Sequence, residues 1–388
     1  MRDTAFDSIN LLESLVSIPS PSGQEGDAST YLVKWLATHS FEAHVDAAGN
    51  AVGTRGEGPR QVMLLGHIDT FPGELPVRRE EDWLYGRGTV DAKGSLCAFA
   101  AAAAAVDVSA GWQVAVVGAV KEEAATSHGA RHLMSKRPAP DLCINGEPSG
   151  WDRVTVGYKG RLLAEVRLTA PFAHSASQTQ LPAEQAVGLW NTIVAHCAEF
   201  NTGRGRTFEQ LVPSLRHIAT HDQGAYGVAQ MSLGFRLPPD LPPAALAEDL
   251  RSLLQAGGWG LKTKMPPSTS PPNMQSLTPS SQPSVDLTFS GAEVAFRDEK
   301  NTLLVRALVA SVREQAGQPR FVLKTGTSDM NVVGPAWACP ICAYGPGDSA
   351  LDHTPQERIS LSEYLRSIQV LRSALQTLMR NATDQSTQ

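Results

Sequence analysis

Apolar residues recur at helical spacing over positions 5–18, with Ile9, Leu12, Leu15 and Val16 on one stripe. The pattern stops at the breaker cluster Pro19-Ser20-Pro21-Ser22-Gly23. A second helix is predicted over about 25–38, with Tyr31, Leu32 and Trp35 on one face. Three short apolar runs, Val62–Leu65, Val114–Val120 and Leu142–Ile144, read as strands buried on both faces. Between the first two lies an alanine-rich helix, Gly94–Val106. This alternation predicts an α/β fold with a mostly parallel sheet and helices on both faces.

The texture changes near Gly157-Tyr158-Lys159-Gly160. Arg161–Thr169 alternates like a half-exposed strand, and helix Ala183–Phe200, strand Met231–Leu237, helix Pro243–Ala256 and strand Val285–Phe289 follow. The set reads as a smaller α+β domain inserted into the first, over 157–296, between catalytic parts 1–156 and 297–388. Within it, Met265–Ser284 holds six prolines and six serines and reads as a mobile loop. The α/β pattern then resumes with helix Thr302–Ala316, strands near Phe321–Leu323 and Ala338–Tyr344, and helix Ser360–Met379.

Composition narrows the function classes. The 388 residues suffice for two domains, and 33 Lys+Arg against 39 Asp+Glu give a net charge of −6. That balance argues against nucleic acid as the main partner, which would need a dense basic face. No apolar run is long enough to span a bilayer and no signal-peptide core follows Met1, so a cytoplasmic protein without a membrane partner is expected. Five cysteines imply no disulfide framework, and Cys339-Pro340-Ile341-Cys342 reads as two small buried residues without a second pair.

The candidate chemistry lies where the buried strands end. The first runs into Gly66-His67-Ile68-Asp69, the second into Lys121-Glu122-Glu123, the third into Asn145-Gly146-Glu147. Open α/β sheets bind ligands at the carboxyl ends of their strands. Several carboxylates gathered at that edge repel one another unless a cation sits among them. Asp91 precedes the alanine helix in a glycine-rich turn, and His353 follows Gly345-Pro346-Gly347-Asp348. Two imidazoles and three carboxylates, one of them bridging, suit two divalent ions about 3.5 Å apart. Such ligands favour zinc, cobalt or manganese over thiolate-seeking metals. Taken singly, His-x-Asp is a common surface pair and adjacent glutamates are usually a solvated face. Their joint placement is what carries weight.

The motifs Gly66-His67-Ile68-Asp69-Thr70, Gly86-Arg87-Gly88-Thr89-Val90-Asp91-Ala92-Lys93-Gly94, Glu122-Glu123 and Gly146-Glu147-Pro148-Ser149 resemble, in order, those of the aminoacylase/acetylornithine deacetylase/succinyl-diaminopimelate desuccinylase family. The resemblance implies a dinuclear amidohydrolase holding Zn2+ or Co2+. His67 and Glu147 would bind one ion, Glu123 and His353 the other, and Asp91 would bridge them. Asp69 would orient His67, and Glu122 would be the general base. The resemblance further implies a homodimer and an inserted lid domain. There His174 would reach the substrate carbonyl and Arg236 would bind the substrate carboxylate.

Leu323-Lys324-Thr325-Gly326-Thr327-Ser328-Asp329 departs from the glycine-rich form common in the family. It is similar to the branch that releases lysine, or ornithine, from the C-terminal glutamate of an acidic amino-group carrier protein, and makes Lys324 a substrate-binding candidate. Arg204, Arg206, Arg216, Arg297, Arg313 and Arg320 are candidates for receiving such a partner, against a reading as solvated charge. Two other functions remain open at this point: deacetylation of a small N-acyl amino acid such as acetylornithine, and an inactive binding homologue.

Overall fold

A computed structural model describes residues 4–171, 180–257, 260–262 and 284–381. His174 and positions 265–283 of the Pro/Ser-rich stretch lie outside the described residues. The chain divides into two compact units, Met1–Tyr158 with Phe296–Lys324 and Ser328–Gln388, and Lys159–Ala295 with Thr325–Thr327.

The first unit is built on a nine-stranded sheet. At its centre, Trp112–Ala119, Arg60–His67, Leu142–Gly146 and Ile341–Ala343 lie side by side and parallel. Antiparallel pairings flank them, Ala51–Arg55 on Trp112–Ala119 at one side and Arg153–Tyr158 beside Ile341–Ala343 at the other. Period-two alternation sends successive strand residues into two cores. Val62, Leu64, Val114 and Val116 pack with helices Thr4–Val16, Gly26–Thr38, Lys93–Ala105, Leu303–Glu314 and Leu361–Asn381. Met63, Leu65, Ala115 and Val117 pack with helices His128–Lys136 and Asp329–Trp337 on the other face.

One register detail positions the chemistry. Gly66 lies opposite both Gly118 and Gly146, so three central strands carry a glycine row and end level with one another. A side chain there would strike the helix Lys93–Ala105. A Cβ on Gly118 would lie 3.1 Å from Leu96, and one on Gly146 would lie 2.8 Å from the Phe99 ring and 3.0 Å from the Gly66 Cα. The helix reciprocates with small residues, and its positions from Lys93 to Ala103 are all buried. A helix apolar all round belongs inside a fold. Lys93 is the one charged residue in it, and its ammonium caps the end of the first helix by donating to the Leu15 and Ile18 carbonyls at 3.0 and 2.7 Å. Close approach of this helix brings its amino-terminal end, and Asp91 just before it, to the strand ends.

The second unit is a five-stranded sheet in the order Val212–Gln223, Tyr226–Leu237, Gly160–Pro171, Ser284–Glu293, Gly260–Lys262. Leu162, Ala164, Val166 and Leu168 point into a core shared with helices Pro182–Phe200 and Pro243–Ala256. Three differences from the sequence expectation stand out. Strand Val212–Gln223 has no apolar alternation because it is an edge strand with mostly exposed residues. Helix Asp329–Trp337 is hidden by its internal Pro335. Of the CxxC pair, Cys342 is buried in its strand but Cys339 is only partly buried.

Replacing a strand glycine by alanine ordinarily stabilises by about 0.5–1 kcal/mol. At Gly146 the added methyl meets an aromatic ring and backbone, and overpacking costs about 1–3 kcal/mol. Gly146→Ala is therefore expected to lower unfolding stability by about 1–2 kcal/mol in a denaturant titration. An unchanged or raised midpoint would refute the close-packed glycine row.

Candidate metal centre

Asp91 stands between two histidines. Its Oδ1 is 3.1 Å from His67 Nε2 and its Oδ2 is 3.1 Å from His353 Nε2. His353 Nε2 also lies 3.0 Å from Glu123 Oε1. Potential ligand atoms of His67, Asp91 and Glu147 lie within 4.8 Å of one another, as do those of Asp91, Glu123 and His353. Two three-residue groups thus share one carboxylate. The five residues come from five places in the sequence: the ends of strands Arg60–His67 and Leu142–Gly146, the turns after Trp112–Ala119 and before Lys93–Ala105, and the turn carrying His353.

Asp69 organises this edge. It is fully buried, and its carboxylate accepts from the backbone N–H of Glu122 at 3.1 Å, that of Glu123 at 3.0 Å and the Ser22 hydroxyl at 2.6 Å. His67 Nδ1 sits 3.0 Å from the Asp69 carbonyl oxygen and 3.5 Å from Oδ1. The ring is thereby held with Nε2 facing Asp91. Asp69 thus fixes both the imidazole and the turn bearing the two glutamates, a wider task than orienting His67 alone.

The charges explain one another. Burial opposes ionisation of Asp91, but hydrogen bonds to His353 and His67 outweigh it and hold its carboxyl far below the usual range. Burial likewise opposes charge on His67, yet Asp69 and Asp91 lift its imidazole well above the ordinary value. Hydrogen bonds to Asp91 and Glu123 push His353 up to about 10. The three glutamates go the other way. Burial drives Glu147 up to about 8, with Asp91 adding to it against the pull of His67. Burial, then Glu147, Asp329 and Glu123, raise Glu122 well above the carboxylate range despite nearby His67. Glu123 is raised chiefly by burial. Neighbouring carboxylates whose proton affinity is raised in this way form a site short of positive charge. The donor set of two imidazoles and three carboxylates fits two divalent cations.

Other sequence candidates fall differently. The Lys324 ammonium donates to the Pro148 carbonyl, and its field acts on Glu147 and Asp352, so it adjoins the cluster. Arg236 belongs to the second unit, where its guanidinium donates to Thr327 Oγ1. Arg204 is taken by Asp240 in a forked pair at 2.7 and 3.0 Å, whereas Arg206, Arg216, Arg297, Arg313 and Arg320 are exposed. Sequence reasoning missed Phe71, whose ring stacks on His353 at 4.2 Å, and the ion pair of partly buried Arg87 with buried Glu357. No spacing rule signals them. Glu357 lies only four residues beyond His353, which is the one clue the chain offers.

Residues 63–377 match the family described as Peptidase family M20/M25/M40. The chain belongs to that family. A Deinococcus radiodurans protein named LysW-lysine hydrolase is 43% identical over 375 residues, covering 95% of this chain and 96% of its own. A Saccharolobus islandicus protein named LysW-lysine/LysW-ornithine hydrolase is 27% identical, covering 96% of each. Among solved structures, an M20 family metallo-carboxypeptidase from Sulfolobus solfataricus superposes with a TM-score of 0.73 at 17% identity, over 98% of this chain and 100% of its own. A Bacillus subtilis M20 protein described as a dinuclear metal-binding peptidase does so with a TM-score of 0.66 at 11% identity, over 98% and 99%. These two likenesses speak for the M20 fold. Among the described residues no helix is long and apolar enough to cross a membrane.

Without metal, His353 and Glu147 hold protons at pH 7, because their pKa values lie at about 10 and about 8. A cation entering these groups must displace those protons. Metal affinity is therefore expected to rise with pH between about 6 and 8, roughly tenfold per pH unit for each proton released. Calorimetric titration in buffers of different ionisation enthalpy counts the protons. Affinity independent of pH, with no proton release, would contradict this electrostatic picture.

Proposed function

We propose that this M20 protein is a dinuclear metal-dependent amidohydrolase that releases lysine, or ornithine, from the C-terminal glutamate of an acidic amino-group carrier protein in amino-acid biosynthesis. The full-length similarity to the Deinococcus radiodurans LysW-lysine hydrolase carries this reading. Zinc or cobalt is the proposed metal, and a cytoplasmic homodimer the proposed form.

In this reading His67 and Glu147 hold one ion, Glu123 and His353 the other, and Asp91 is shared. The ions, when bound, polarise a water and the scissile carbonyl and lower that water's pKa toward neutrality. Glu122 is the general base. Burial beside other acids raises its proton affinity, which suits a group that must take a proton and return it. It accepts the proton of the attacking water as the new C–O bond forms. It then delivers that proton to the departing α-amine as the C–N bond breaks, leaving a carboxylate on the carrier and free lysine. Asp69 holds the Glu122 backbone, so the base is anchored at its own N–H. His174 is proposed to steady the carbonyl oxygen, and Arg236 and Lys324 to hold substrate groups away from the reacting bond.

Glu122→Ala is expected to lower kcat by about 10²–10⁴ while leaving metal content intact. Normal turnover by that variant would refute the base assignment. For the substrate, amine release is compared for carrier protein bearing lysine on its C-terminal glutamate and for free acetylornithine. Metal-dependent preference for the carrier is expected. Preference for acetylornithine would make the enzyme a small-molecule deacetylase instead, and silence on both would indicate an inactive homologue.

A further inference from the structure

We infer that the ion pair between partly buried Arg87 and buried Glu357 is a strut that fixes Asp91 and His353 relative to one another, and so sets the geometry in which two ions share one carboxylate. The inference rests on the metal-site reading above and adds two positioning residues to it. Neither side chain contributes an atom to the two ligand groups.

Glu357 is 1% exposed, yet every hydrogen bond of its carboxylate goes toward the segment that ends at Asp91. Oε1 accepts from the backbone N–H groups of Gly88, Val90 and Asp91 at 2.9, 3.0 and 3.2 Å. Oε2 accepts from Arg87 Nη1 at 2.7 Å. Residues 86–92 form a turn without ladder bonds, so this carboxylate supplies anchoring that regular structure does not. Its chain position, four residues after His353, ties that turn to the second histidine.

Arg87 reaches the other way. Nε donates to the Gly73 carbonyl at 3.0 Å and Nη1 to the Thr354 carbonyl at 3.4 Å. Its guanidinium lies 5.8 Å from the centre of the Phe71 ring, and Phe71 stacks on the His353 imidazole with 14° between the planes. One fork therefore touches the segment bearing Phe71, the residue after His353, and Glu357. His353 has a left-handed φ of 61°, a conformation costly for a non-glycine residue that must be held from outside. Chemistry explains both residue types. Only a planar guanidinium donates in several fixed directions, and only a full carboxylate accepts three N–H groups and a cation without turning a donor toward either.

The test uses the full chain, stripped with a chelator and titrated with Co2+, following heat and the cobalt d–d absorption. Wild type is compared with Glu357→Gln, Arg87→Lys and Phe71→Leu. Wild type should bind two ions. Glu357→Gln and Arg87→Lys should weaken the ion of the Asp91–Glu123–His353 group about 10- to 100-fold and alter the spectrum of the second equivalent. If Glu357→Gln fails to fold, the milder Arg87→Lys and Phe71→Leu decide by the same readouts. Two ions in wild type, with affinities and spectra unchanged in the folded variants, would overturn the strut even if stability fell. Fewer than two ions in wild type would instead overturn the metal-site reading beneath it.

Discussion

Crowding of carboxylates around Asp91 is the constraint on which the remaining chemistry depends. Two unit charges 4 Å apart interact by about 4 kcal/mol at the effective dielectric of a protein surface. Several acids gathered at one buried edge could not all ionise unaided. Asp91 stays ionised because a histidine stands on each of its oxygens, while burial among other acids raises the proton affinity of Glu122 and Glu147. Cations can replace those protons and relieve the repulsion at every acid together. The same arrangement leaves Glu122 with a high proton affinity and no place in either ligand group. A group with those two properties is what a proton shuttle requires.

The fold meets that constraint by ending three parallel strands at one level and bringing a helix end down upon them. The glycine row of Gly66, Gly118 and Gly146 lets the alanine-rich helix approach the sheet, and this sets where Asp91 lies. Asp69 then fixes the glutamate turn through two backbone N–H groups. Packing and electrostatics are thus one problem here, because displacing the helix would separate the shared carboxylate from its histidines.

Much of this was legible in the chain, for physical reasons. Strands buried on both faces appear as unbroken apolar runs, so Val62–Leu65, Val114–Val120 and Leu142–Ile144 marked the central sheet. The polar residues just beyond each run then marked the edge where the candidate metal ligands gather. Strand Val212–Gln223 was not legible, since an edge strand has no buried face to impose alternation. Helix Asp329–Trp337 was masked by a proline. Arg87, Phe71 and Glu357 were illegible for a different reason: their roles lie in contacts between segments more than 260 residues apart, such as Arg87 with Glu357. Residue type and local spacing carry no trace of such pairings. Where chemistry depends on which residue follows a strand, sequence suffices; where it depends on which distant turns meet, only the fold tells.

The central claim is that five side chains hold two ions with Asp91 between them. Anomalous diffraction from crystals of the cobalt-loaded protein tests it most directly. Two peaks are predicted, one against His67 and Glu147 and the other against Glu123 and His353, with a carboxylate oxygen of Asp91 directed at each. A single peak, or peaks lying away from Asp91, would contradict the account.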